Sequence, residues 1–197
     1  QRSTASVGVT LFQGDQVNTE DLMKQADLAM YRSKDSGRNT WHFFDPAMES
    51  NLKERAALED DLRHGLDDHQ LLLYYQPQVN ADDQVTGAEV LVRWQHPRRG
   101  MVSPGDFIPL AEATGLILPL GHWVLKTACI QLARWASQPE RAHLTIAVNV
   151  SAHQFRHADF VNQVLDVLRQ TGANPQRLKL ELTESLLVSN VEQVIAK

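Results

Sequence analysis

The sequence predicts an α/β protein in two parts: a strand, helix, strand piece at the N-terminus, then a parallel sheet or β/α barrel entered through an antiparallel hairpin. Three observations predict it. Short segments with apolar residues at every second position alternate with longer ones where they recur every three to four. Two strand-like runs, Leu71 to Val79 and Val85 to Trp94, are separated only by the polar stretch 80–84, short enough for a hairpin. Beyond the hairpin the order is strand, helix, strand, helix, which indicates a parallel sheet or a β/α barrel with its sites at the C-terminal ends of strands.

Taken in order, Ala5 to Phe12 reads as the first strand. Thr19 can cap a helix whose first turn carries Glu20 and Asp21, favourable at the positive end of the dipole, and Leu22, Ala26, Ala29 and Met30 follow at helical spacing. Gly37 fits a left-handed C-terminal cap, Trp41 to Phe44 a short strand, and Asp45-Pro46 closes a unit too small to bury a core alone. From Ala47 to about Leu66 dense charge and the recurrence of Met48, Leu52, Leu58, Leu62 and Leu66 predict an amphipathic connecting helix, so the boundary is placed between residues 1–46 and 47–197.

After the hairpin come a turn region with Pro97, Gly100, Pro104 and Gly105, a helix near Phe107 to Thr114, and a second from His122 to Ala136. Strand 143–150 leads through Ser151-Ala152-His153-Gln154, a capping box, into a helix with the apolar stripe Phe160, Val161, Val164, Leu165 and Leu168. Strand 178–183 precedes a last helix near Val191. Trp123 and Trp135 are expected to pack against the sheet.

The chain has 197 residues, 43% hydrophobic and 22% charged, an ordinary globular composition rather than a disordered one. A net charge of -5 argues against a DNA or RNA binder, though a nucleotide substrate needs only a few local cations. The single cysteine, Cys129, excludes a disulfide framework and a cysteine metal site, and its helical surroundings mark it as a buried small hydrophobe. No apolar run approaches the ~20 residues of a membrane span and no signal-peptide pattern opens the chain, so the expected setting is cytoplasmic, without membrane contact by this segment. His153 and His157 stand four apart, but no glutamate-containing zinc motif surrounds them, and a solvated helix face is the reading adopted.

Chemistry concentrates on three strands. Side chains two apart on a strand share a face, so Ile146, Val148 and Val150 point one way and Ala147, Asn149 and Ser151 the other; Leu178, Leu180 and Leu182 oppose Lys179, Glu181 and Thr183 in the same manner. Glu89, Asn149 and Glu181 each place an oxygen-bearing group on the polar face, which suggests one oxygen-rich site assembled from several strands. Leu91 and Arg93 share the face of Glu89.

Tyr75-Gln76-Pro77, Glu89-Val90-Leu91-Val92-Arg93-Trp94, His96-Pro97, Ser103-Pro104, Phe107-Ile108-Pro109, Ala111-Glu112-x-Thr114-Gly115-Leu116-Ile117, Val148-Asn149-Val150-Ser151 and Glu181-Leu182-Thr183-Glu184-Ser185 occur in order from about residue 53 onward. Together they resemble the EAL domain, the cyclic di-GMP phosphodiesterase family. Ser6 to Val9, Ala26 to Tyr31 and Lys34-x-x-Gly37-Arg38-Asn39 likewise resemble the C-terminal end of a GGDEF (diguanylate cyclase) domain. The resemblance implies a TIM-like β/α barrel, of which this is the N-terminal part with its first strand antiparallel, preceded by a β-α-β fragment of GGDEF. It implies metal-dependent hydrolysis of cyclic di-GMP to linear pGpG, with Glu89, Asn149 and Glu181 as ligands of Mg²⁺ or Mn²⁺ and Glu89, Glu181 and Glu184 in the catalytic set, Glu184 by holding the following active-site loop. Gln76, Leu91 and Arg93 match substrate-contacting positions, Arg93 the phosphate-binding arginine, and Lys34 and Arg38 match GGDEF contacts to nucleotide phosphates. Val90 replaces the alanine of the family's name motif but points away from Glu89.

GTP at the GGDEF half and a homodimer through EAL domains are partners the resemblance admits, as is membrane tethering by domains outside this chain. The chain opens at Gln1 and stops at Lys197, and a full β/α barrel takes about 250 residues. The sequence therefore reads as an excerpt: the family's adjacent aspartate pair, lysine and further acids are expected after residue 197 and the GGDEF signature loop before residue 1, so the excerpt alone is expected to be inactive. Two alternatives stand beside hydrolysis: a receptor or regulatory module that binds cyclic di-GMP without cleaving it, and a bifunctional protein dominated by diguanylate cyclase activity.

Overall fold

The structure, a computed structural model, describes residues 4–14 and 18–182. The chain divides into two compact units, Gln1–Leu58 and Glu59–Lys197.

In the first unit, β1 (Val7–Val9) pairs in parallel with β2 (Trp41–Phe43) and α1 (Thr19–Asp35) lies between them in sequence. The cap of α1 is Asn18 rather than the expected Thr19: its Oδ1 accepts from Asp21 N at 2.8 Å, which leaves Thr19 inside the helix. At the other end Gly37 takes a left-handed φ of 100° and Arg38 N donates to Ser33 O at 3.1 Å, satisfying a carbonyl that the helix leaves over. Helix and sheet meet backbone to backbone, since a Cβ on Gly8 would lie 2.0 Å from Ala26 O. Buried Ser33 joins them, its Oγ 2.8 Å from Val7 O and 3.1 Å from His42 Nδ1. Among the described residues of this unit only Ala29 and Ser33 are buried, and Phe12, Trp41 and Phe43 are exposed, consistent with a piece too small for its own core.

Helix α2 (Pro46–Asp67) runs across the division at Leu58. Asp45 Oδ1 accepts from Ala47 N at 2.9 Å and Pro46 occupies the first turn, where its missing N–H costs nothing.

The second unit is a sheet with helices packed on one face. β3 (Leu71–Val79) and β4 (Val85–His96) form the expected antiparallel hairpin, its loop held by Asn80 Oδ1 accepting from Asp82 N and Gln84 N. β6 (Thr145–Val150) lies parallel to β4, and β7 (Leu178–Leu182) parallel to β6, giving the order β3-β4-β6-β7. A short strand that the sequence did not suggest, β5 (Gly100–Val102), folds back on the end of β4. The helices are α3 (Pro104–Thr114), α4 (Ile117–Ala136), α5 (Ala152–Arg156) and α6 (Phe160–Thr171). α4 begins five residues before the expected His122, because Pro119 falls in the first turn, where a helix tolerates proline. The last helix expected, near Val191, lies outside the described residues.

The core sits between the sheet and these helices. Trp94 and Phe107 are fully buried and meet edge to face at 5.7 Å, and Leu120, Cys129 and Ile146 complete the same layer. Trp94 Nε1 donates to Gln70 Oε1 at 3.1 Å, and Gly65 of α2 makes room for the indole: a Cβ there would stand 2.9 Å from Nε1. Trp135 meets Tyr75 at 5.8 Å on the helix-covered face.

At the end of β4, buried His96 accepts at Nδ1 from Arg98 N and Arg99 N, 3.1 Å each, which puts the ring proton on Nε2. Nε2 lies 3.0 Å from Asp61 Oδ2 on α2, and Arg98 reaches Asp61 Oδ1 at 3.1 Å. Burial raises the Asp61 pKa, but His96, Arg98 and Arg99 outweigh it and hold the carboxyl below its ordinary value.

The sign of the Asp61 shift fixes an acid limb. A carboxyl lowered in the folded state stabilises fully above the unfolded value of about 3.9, and that stability is lost as pH falls through the lower folded value. Asp61→Ala is expected to cost about 1–3 kcal/mol at pH 7 and to flatten the stability profile below pH 4, read by urea unfolding across pH. Burial pushes the Cys129 thiol up to about 11, so an aromatic disulfide reagent at pH 8 is expected to titrate it only after denaturation.

Candidate functional site

The uncovered face of the sheet carries the side chains singled out from the sequence. On β4, Ala88, Val90, Trp94 and His96 are buried while Glu89, Leu91 and Arg93 alternate with them on the opposite face. Leu72, Tyr74 and Gln76 of β3 share that face, because Leu72 pairs with Arg93, Tyr74 with Leu91 and Gln76 with Glu89. Asn149, the second-last residue of β6, sits directly opposite Glu181 of β7.

Three of the expected residues meet. Asn149 Nδ2 donates to Glu89 Oε1 at 2.6 Å, and Glu181 adjoins Asn149 across the next strand pair. Gln76 is the strand partner of Glu89. Leu91 and Arg93 continue along the strand, Arg93 about 13 Å beyond Glu89 at 3.3 Å per residue. The Arg93 guanidinium rests over the Tyr74 ring, 5.4 Å from its centroid, and donates through Nη1 to Val92 O at 2.9 Å.

One contact was not anticipated. Gln78 Nε2 reaches Glu181 Oε1 at 3.5 Å although β3 and β7 are separated by two strands. The sheet is therefore curled strongly enough for side chains on its open face to converge. Gln78 follows Gln76 on the same face, so strand alternation alone could have marked it. Beside this face a cleft of about 210 Å³ is lined by Leu91, Arg93, Glu112, Asn149, Ser151 and Gln154 among others.

The donor set suits a hard cation: two carboxylates and an amide oxygen on one concave face. Among the described residues no group of three or more His, Cys, Asp or Glu that could hold a metal ion is brought together. His153 and His157 are exposed, His153 within α5 and His157 at its C-terminal cap, where Nδ1 accepts from Asp159 N at 3.3 Å. Lys34 lies in the last turn of α1 and Arg38 just past its cap, both exposed. Glu184 lies outside the described residues.

Comparison with known proteins adds to this geometry. The EAL domain family matches residues 59–197. This chain belongs to the EAL domain family. The diguanylate cyclase GGDEF domain matches residues 1–40, so a GGDEF fragment precedes the EAL portion. The chain is 44% identical over 97% of its length to the bifunctional diguanylate cyclase/cyclic di-GMP phosphodiesterase MucR of Pseudomonas aeruginosa, covering 28% of that protein. It is 42% identical over 98% of its length to the cyclic di-GMP phosphodiesterase NbdA of the same organism, covering 24%. The chain thus spans about a quarter of the length of these relatives. The structure of PaMucR phosphodiesterase in its c-di-GMP complex superimposes with a TM-score of 0.68 at 43% identity, over 71% of this chain and 57% of that one. The EAL portion is the N-terminal part of a TIM-like β/α barrel such as EAL domains have, with its first strand antiparallel. Among the described residues no helix is long and apolar enough to cross a membrane.

The rim of the site is set by α5 docking on α4. The capping box is formed as expected, with Gln154 N donating to Ser151 Oγ and Ser151 N to Gln154 Oε1, both at 3.2 Å. A Cβ on Gly121 would fall 1.6 Å from Gln154 Nε2. Gly to Ala in an open helix stabilises, but Gly121→Ala is expected to displace Gln154 and cost about 1 kcal/mol net, measured as a lower denaturant midpoint at unchanged slope.

Proposed function

We propose that this EAL portion belongs to a metal-dependent phosphodiesterase that opens cyclic di-GMP to linear pGpG. The observation that carries the reading is the junction of Glu89 with Asn149 at 2.6 Å and of Asn149 with Glu181 in register, the latter two near the C-terminal ends of the parallel strands β6 and β7. The names of MucR and NbdA and the c-di-GMP complex of PaMucR support the choice of substrate.

In this reading Glu89 and Glu181 hold Mg²⁺ or Mn²⁺ through carboxylate oxygens and Asn149 through its amide oxygen. When bound, the cation supplies Lewis-acid charge to the phosphodiester and lowers the pKa of a water at the site. Arg93 takes a phosphate oxygen pair with its planar fork and fixes the phosphodiester for in-line attack. Gln76 and Leu91 contact the nucleotide on either side of Glu89. The span of about 13 Å between Glu89 and Arg93 suits a dinucleotide lying along β4. At the first unit, Lys34 and Arg38 are assigned to nucleotide phosphates of a GGDEF site.

The test is turnover of cyclic di-GMP by the full-length protein with Mg²⁺ or Mn²⁺, following the linear product chromatographically. Glu89→Ala is expected to lower kcat by about 10²-fold or more, the usual loss when a charge-stabilising group is removed from a reacting centre. Unchanged turnover in that variant would sink the assignment, and tight binding without product in the native protein would mark a receptor instead.

A further inference from the structure

We infer that Tyr74 is the positioning residue for the phosphate-binding arginine, presenting its ring as a neutral seat for the Arg93 guanidinium. The inference rests on the phosphodiesterase reading and extends it to a residue outside the motifs that carry the family resemblance.

The geometry follows from strand pairing. Tyr74 pairs with Leu91 and Leu72 with Arg93, so Tyr74 and Arg93 are diagonal neighbours on the open face, where long side chains reach one another. The guanidinium carbon stands 5.4 Å from the ring centroid, within cation–π range. The ring is half exposed, so it is a surface element of the open face rather than a piece of the core.

Its neighbour Tyr75 shows the contrast. Tyr75 turns to the helix-covered face against Trp135, and its burial pushes the hydroxyl pKa up, against the opposing pull of Arg134. One tyrosine of the pair packs the fold while the other faces the site.

What holds an arginine decides what it can still bind. Among the described residues no carboxylate stands within ion-pair distance of Arg93; its partners are the Tyr74 ring and the Val92 carbonyl at 2.9 Å. A guanidinium carries five N–H donors in one plane. A carboxylate partner would neutralise the charge and occupy two of them, so an incoming phosphate would have to displace it. An aromatic face orients the same plane from above, leaves the charge in place, and leaves the remaining edge donors directed at an anion.

The test is initial-rate kinetics of the full-length protein on cyclic di-GMP with Mg²⁺, comparing wild type, Tyr74→Leu, Tyr74→Phe, Arg93→Ala and the Tyr74→Leu/Arg93→Ala double variant. Tyr74→Leu is expected to lower kcat/KM about 3- to 30-fold, mainly through KM, the range a cation–π contact supports. Tyr74→Phe, which keeps the ring, restores most of the loss. In the Arg93→Ala background Tyr74→Leu adds nothing further, because its effect runs through the missing guanidinium. Full additivity in the double variant, failure of phenylalanine to rescue, or Tyr74→Leu kinetics equal to wild type overturns the inference while leaving the phosphodiesterase reading intact. A wild type without turnover overturns that reading and this inference with it.

Discussion

The parallel pairing of β4 with β6 is the constraint on which the site depends, and Gly87 makes it possible. A Cβ on Gly87 would lie 2.3 Å from Thr145 Oγ1 and 2.5 Å from Thr145 O, so only glycine lets the two backbones close at this point. That contact starts the register that carries Glu89 opposite Ala147. A slip of one residue would turn every β6 side chain over, sending Asn149 into the layer beneath the helices and Val148 and Val150 onto the open face. The 2.6 Å meeting of Asn149 with Glu89 is thus a product of backbone fit four residues away, and the buried packing of Ile146 and Val148 enforces it from the other side of the sheet.

Much of this was legible because it is local. A period of two assigns faces without knowledge of neighbours, so Glu89, Asn149, Glu181, Leu91 and Arg93 were grouped correctly on one face. The capping box at Ser151 and Gln154 was readable for the same reason. What escaped depends on relations that no local window holds. Alternation gives the face of Gln78, but its contact with Glu181 arises only through the curl of four strands. β5 forms because Gly100, Met101 and Val102 have the end of β4 to pair with, and not from propensity. α4 starts at Ile117, ahead of the expected His122, with Pro119 in its first turn, where a helix tolerates proline.

Helix α2 is bound to the sheet by two different means. Gly65 admits the Trp94 indole by steric allowance, and Asp61 engages His96, Arg98 and Arg99 by charge. Trp94 and His96 lie on the same strand that carries Glu89 and Arg93 on its other face. Alternation makes β4 a two-sided element: residues 94 and 96 answer to the helix, residues 89, 91 and 93 to the site.

The asparagine between the two glutamates has a consequence for the resting protein. Glu89 and Glu181 stand on strands two apart, about 10 Å across the sheet, and the middle strand places a neutral amide between them. One carboxylate accepts a hydrogen bond from that amide and the other from Gln78. The amide of Asn149 thus ties the orientation of Glu89 to the register of β6 with β7, so the spacing of the two carboxylates is set by strand pairing.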